Sequence, residues 1–159
     1  MKQKEPGRKA GLGLTPAITG IFALLAAIPI PGVSDDDPRL GTLEVRISGF
    51  ESDSGRLAIA LFASEEDYST QTNAVRRAWL DIEDRESHWR VAGLPEGEYA
   101  LIAYHDENGN GEIDLRALGM PKEPVGVSND ARGLFGPPRF RAARFEVTAP
   151  LTRHEIVLR

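Results

Sequence analysis

Period-two alternation is what most constrains the fold of this chain. Leu43, Val45 and Ile47 point one way while Thr42, Glu44, Arg46 and Ser48 point the other, which reads as a half-buried strand. After a Ser54-Gly55 turn, "RLAIALFA" from Arg56 to Ala63 repeats the pattern with Leu57, Ile59 and Leu61, so the two runs are expected to pair as a hairpin. Ser64 precedes Glu65, Glu66 and Asp67, an acidic first turn that the helix dipole favours, and this predicts a turn or two of helix. The second half of "AVRRAWLDIED" and then "SHWRVAGL" read as further strands. Pro95-Glu96-Gly97 turns the chain into a strand from Glu98 to His105. Its two faces, Tyr99, Leu101 and Ala103 against Ala100, Ile102 and Tyr104, are both apolar, as in a central strand. "FRAARFEVTAP" and "TRHEIVLR" are expected to be two closing strands joined at Ala149-Pro150. Short strands with turns between them, and no repeat, coiled coil or strand–helix alternation, predict an antiparallel sandwich.

The N-terminus is different in kind. Lys2, Lys4, Arg8 and Lys9 stand against Glu5 alone, and no charge follows until Asp35. Within that interval "AITGIFALLAAI", Ala17 to Ile28, is bounded by Pro16 and Pro29 and suits a signal-peptide core better than a membrane span. Residues 1–34 are therefore expected to be a signal peptide or an uncleaved anchor, 35–41 an acidic spacer and 42–159 the β-domain. Either outcome places the domain outside the cytoplasm, periplasmic or secreted. Removing the leader moves the formal charge from −5 to −8, a surface that repels nucleic acid and leaves the N-terminal segment as the sole membrane contact. Cysteine is absent, which excludes disulfides, thiolate zinc sites, a cysteine nucleophile and a lipobox anchor.

"HDENGNGEID", His105 to Asp114, is too polar and too rich in glycine for a buried strand. Asp106, Asn108 and Asn110 stand at alternate positions before Gly111, with Glu112 and Asp114 following. Calcium takes six to eight oxygens, and such a run wraps carboxylate and amide oxygens around one centre while glycine permits the turn. The match to an EF-hand fails at its twelfth position, Ala117, and a strand precedes the loop where a helix belongs. A looser calcium turn remains, completed by a distant oxygen such as Glu123 or Asp130. The plainer alternative is that the asparagines and glycines only tighten a turn.

From Asp106 to Arg139 no sustained periodicity appears, and a connection that long in a small domain is usually functional or disordered. Its prolines and glycines, with Leu134, Phe135 and Phe140 as pins, favour one ordered conformation. His105, ending an apolar strand, is expected to hydrogen-bond and position the loop. Trp79 and Trp89 are expected to pack in the core or at an edge rather than to form a sugar-stacking platform.

The succession of "YHDENGNGEID", "GMPKEPVGVSN", "GLFGPPRF" and "ARFEV" resembles a bacterial exported family known as domain of unknown function 2141. The resemblance covers about Leu43 to Arg159 and implies a seven- or eight-stranded sandwich related to prealbumin-like and surface-protein modules, together with export. It implies no established activity. The family's His-Asp-x-Asn-x-Asn-Gly pattern falls on His105, Asp106, Asn108, Asn110 and Gly111, and its Ser-Asn and Gly-Pro-Pro-x-Phe elements on Ser128, Asn129, Gly136, Pro137, Pro138 and Phe140. An Asn common in the family is Arg116 here, and aromatics that commonly flank the glycine before Ser-Asn are Val125 and Val127.

An enzyme is the main rival reading. "GVSND" lacks the second glycine of a nucleophile elbow, and His88, His105 and His154 have no zinc spacing. His105 with nearby carboxylates is the best hydrolase candidate, and paired glycosidase acids can come from any strands. The expectation is an all-β, antiparallel, Greek-key sandwich, prealbumin-like or Ig-like, that is not an enzyme. Its long loop is organised by calcium and presents a binding surface to an envelope protein or glycan. A structural or adhesion-type module without metal is the runner-up.

Overall fold

The structure, a computed structural model, describes residues 39–116, 120–133 and 137–159. The expected leader, most of the spacer, Ala117, Leu134, Phe135 and Gly136 lie outside the described residues. In chain order the elements are β1 (Leu40–Ser48), β2 (Arg56–Phe62), α1 (Glu65–Thr70), β3 (Arg76–Leu80), β4 (Glu86–Pro95), β5 (Gly97–Asp106), β6 (Val125–Val127), α2 (Phe140–Ala143), β7 (Phe145–Val147) and β8 (Leu151–Val157). The strand expected in the second half of "AVRRAWLDIED" thus sits earlier, at β3.

Two sheets form. One has the order β4-β1-β8, the other β3-β2-β5-β6, with β7 also on β5. β2 takes one edge of β5 from Ala100 to Asp106, so the two short strands must share the other: β7 pairs with Gly97–Tyr99 and β6 with Ile102–Tyr104. Every sheet pairing is antiparallel except one. β8 runs parallel to β1, because the chain leaves β7 in one sheet and crosses at Pro150, whose carbonyl takes the Thr42 N–H at 3.0 Å, into the other.

The hairpin expected between β1 and β2 does not form. Each strand has an inward apolar face, and those faces meet across the sandwich: Leu43 and Ile47 from β1 pack in one cluster with Leu57, Ile59 and Leu61 from β2. The connection from Gly49 to Gly55 crosses the gap between sheets, which are typically about 10 Å apart. Likewise β7 and β8 are not a hairpin, and the beginning of "FRAARFEV" is helical. After Pro137-Pro138, Phe140 and Ala143 stand one turn apart and both are buried, and four residues are too few to carry a readable period.

β5 has the two apolar faces that its sequence predicts. Tyr99, Leu101 and Ala103 join the inter-sheet core, while Ala100 and Ile102 belong to a second cluster on the outer side with Phe62, Tyr68, Val127, Phe140 and Ala143. α1 exists to cover that outer cluster. Its Ser64 cap accepts the Asp67 N–H at 3.1 Å, and its one buried residue, Tyr68, meets Phe62 and Phe140 edge to face at 5.8 and 5.7 Å. Burial pushes the Tyr68 hydroxyl up to about 12. Each fully buried leucine or isoleucine here stabilises the fold by about 1.5–3 kcal/mol relative to an exposed one.

One turn ties the inner core to the loop beyond β5. A Cβ on Gly55, whose φ is +77°, would lie 2.0 Å from the Asp106 carbonyl oxygen and 2.6 Å from Glu107 Cα. Gly93 has a similar φ of +70° but open space around it. Gly55→Ala is therefore expected to destabilise by about 2–5 kcal/mol, from strain and overpacking together, and Gly93→Ala by about 1 kcal/mol from strain alone. Urea midpoints of the two variants measure the difference.

Candidate functional site

The period of β5 decides where the loop begins. His105 falls on the inner face, 1% exposed, its ring edge to face with Phe50 at 5.2 Å. Its Nε2 lies 2.6 Å from the Ser54 carbonyl oxygen, so the proton sits on Nε2, and Nδ1 is buried without a partner. Its backbone N–H donates to Pro124 O at 3.0 Å, which clamps the far end of the loop to β5. His105 thus contacts a carbonyl rather than the neighbouring carboxylate.

Asp106 is also buried, at 2% exposed, and both of its oxygens are used. Oδ1 accepts the Asn110 N–H at 3.1 Å and Oδ2 the Gly111 N–H at 2.8 Å. Asn108 Oδ1 accepts the same Asn110 N–H at 2.9 Å, and Asn110 Oδ1 accepts the Glu112 N–H at 2.8 Å. The alternating D-x-N-x-N pattern is therefore a chain of side-chain caps, each oxygen closing the next turn of backbone. Asn108 Nδ2 donates to Asp114 Oδ2 at 2.7 Å, and the Asp114 N–H donates to Glu123 Oε2 at 3.2 Å, while Glu123 Oε1 is buried with no hydrogen-bond partner. Asp114 and Glu123 share a recess with Glu107, Arg116 and Lys122. Asp130 is not brought there, since it pairs with Arg159 at 3.3 Å and lines a different recess. Among the described residues, no three His, Cys, Asp or Glu side chains group to hold a metal ion.

The remaining expected loop residues sit around the outer cluster. Ser128 is fully buried: its hydroxyl donates to Ala143 O at 2.6 Å and accepts the Leu101 N–H at 2.9 Å, joining β5 to α2. Asn129 Nδ2 donates to Arg144 O at 2.7 Å. Pro138 and Phe140 are buried and Pro137 is exposed.

One feature escapes the sequence reading. Trp89 packs in the core as expected, but Trp79 is 42% exposed, edge to face with Tyr104 at 6.0 Å on the outer side of β3, β2 and β5. With Ala58, Ile102, Arg77 and Gln71 they line an open recess of about 170 Å³. Gly111 and Ile113 of the polar loop form its end wall, and the Tyr104 hydroxyl donates to Gly111 O at 3.3 Å. Burial pushes the Tyr104 phenol up, and the charges of Asp106, Glu123 and Glu112 push it further the same way. The signal was present in the sequence: Arg77 and Trp79 alternate with Ala78 and Leu80, which face the core.

A sequence model of the family described as "Uncharacterized protein conserved in bacteria (DUF2141)" matches residues 45–155. The chain belongs to this family. No curated protein matches the chain. Among solved structures, a pilus-presented adhesin, Spy0125 (Cpa), is similar at 12% identity and a TM-score of 0.24, covering 76% of this family member and 27% of the adhesin chain.

His154 titrates within this scaffold. Its ring stacks on Phe145 at 4.2 Å and its Nε2 accepts the Asn129 N–H at 3.4 Å, so the folded state uses the neutral form. Burial pushes its pKa below 6.5, against a smaller opposing pull from Glu155. The unfolded chain then binds the proton first. Stability contributed by this group is full above pH 6.5 and falls as pH drops from 6.5 toward the lower folded value. Chemical denaturation across pH 7 to 5 is expected to show a smaller loss for His154→Phe than for wild type.

Proposed function

We propose that this family member is a non-enzymatic binding module that works outside the cytoplasm, at the cell envelope, and that calcium orders its polar loop to complete the binding surface. One observation carries the reading: Gly111 and Ile113 belong to the acidic loop and also wall the recess that holds Trp79 and Tyr104. Whatever fixes the loop therefore fixes the recess. Calcium accepts amide and carbonyl oxygens beside carboxylates, so Asn108 and Asn110 count with Asp106. Each of their bonded oxygens keeps a second lone pair after its one hydrogen bond. Glu112, Asp114 and the unpartnered Glu123 Oε1 are the further oxygens within the same segment. The exposed aromatic recess, and a His105 bound to a carbonyl, support binding over hydrolysis.

Extracellular calcium modules bind with Kd of roughly 0.1–1 mM, so at about 1 mM calcium the expected stabilisation is about 0.4–1.4 kcal/mol. Thermal unfolding of the wild type is expected to rise by about 1–6 °C between chelator and millimolar calcium. Asp106→Ala and Glu123→Gln should each lose that increment, whatever they do to baseline stability. An identical Tm with and without calcium in the wild type removes the metal and leaves a plain β-module.

A further inference from the structure

The recess beside Trp79 has a chemistry that narrows its ligand. It is small and open, with room for one six-membered ring rather than an acyl chain or a folded partner. Trp79 and Tyr104 stand at 83° to each other, so a ring lying on one face meets the other as a wall. Arg77 is the one charged side chain among the described residues that line it. Its Nη2 donates to the Gln71 carbonyl at 2.7 Å, which holds the guanidinium at the rim with further N–H groups to offer. Elsewhere on the lining the Tyr104 hydroxyl donates to the Gly111 carbonyl. The recess thus carries one cation and two aromatic rings, with the Gly111 carbonyl and the Tyr104 hydroxyl as polar groups beside them.

We infer that this recess binds one uronic acid unit of an anionic glycan, its ring stacked on Trp79, its carboxylate paired with Arg77 and its hydroxyls directed to the Gly111 end. The inference rests on reading the chain as a binding module and deepens it. The C–H groups on a pyranose face carry slight positive charge and meet the negative π face of an indole. Arg77 offers the carboxylate a charge-assisted contact through the N–H groups that Gln71 does not use. Sugar hydroxyls can donate to the Gly111 carbonyl, which keeps a second lone pair, and to the Tyr104 hydroxyl oxygen. An organic cation would be repelled by Arg77, and an acidic peptide would lack a rigid apolar ring face for the corner.

The test is tryptophan fluorescence with a glucuronic acid tetrasaccharide and its carboxyl-reduced neutral form. Trp89 is buried but lines a separate recess with Arg90 and Arg153, so a ligand-dependent change that persists in Trp89→Phe reports Trp79. The wild type is expected to bind the acidic form at least tenfold more tightly than the neutral one. Trp79→Phe should retain binding by calorimetry, Trp79→Ala should lose it, and Arg77→Gln should bind both forms equally weakly. Equal affinity of the wild type for the two forms, undiminished binding by Trp79→Ala, no binding at all, or preferential binding of a glutamate-rich peptide each overturns the inference. Repeating the titration with chelator separates the two readings. A calcium-dependent Tm without a sugar response defeats the glycan alone, whereas a sugar response without any calcium effect defeats the metal alone.

Discussion

The apolarity of β5 on both faces governs the rest of the molecule. A strand with one apolar face is satisfied by one covering layer, but Leu101 and Ala103 on one side and Ala100 and Ile102 on the other need two. The β4-β1-β8 sheet supplies the first. α1, α2 and β6 supply the second, through Tyr68, Phe140 and Val127. This explains why two helices of only a turn or so persist, although such lengths are marginal in isolation. They are held by burial against β5 and by the Ser128 hydroxyl, which links the backbones of β5 and α2.

Where β5 leaves the core, its last two residues are polar and nearly wholly buried, and they turn the chain out in a fixed direction. His105 holds the Ser54 turn on one side, and Asp106 gathers two loop amides on the other. A carboxylate buried in this way needs such donors, since hydrogen bonds to a charged group contribute about 1.5–3 kcal/mol each and an unmade one leaves the charge exposed to its desolvation penalty. The bend from Asp106 to Gly111 is consequently shaped before any ligand arrives. A cation that orders only the rest of the loop has less ordering entropy to overcome, which fits a proposed effect of about a kilocalorie rather than a folding switch.

What the sequence disclosed follows the range of the forces involved. The alternation in β5, the Ser64 cap and the membership in an uncharacterised bacterial family were legible because each is local or contiguous. The partners of β1 and β2 were not. Leu43, Val45, Ile47 and Leu57, Ile59, Leu61 state only that each strand has an apolar face to bury, and facing across a sandwich satisfies that as well as lying side by side. β6 escaped notice because three residues, Val125–Val127, carry no measurable period. In the loop the residue types were readable but not their targets. Oxygens that suggest a shared cation also serve as caps for Asn110, Gly111 and Glu112 amides, and composition cannot separate the two uses.

Trp79 is a large exposed aromatic beside a sheet edge that is guarded against another strand. β3 is the edge of its sheet, and an unprotected edge invites strand addition. Arg76 and Arg77 stand on that edge, exposed, each turned onto a nearby carbonyl, Val75 O and Gln71 O. Charged side chains there oppose the docking of a further strand along β3. The indole is exposed on the outer face, beside Ala58 and the edge of Tyr104 from the neighbouring strands. A sheet that had merely to be covered would place a small polar residue at that position. This large aromatic beside Arg77, next to a loop whose first bend the buried end of β5 holds in place, is the surface that the proposed ring would occupy.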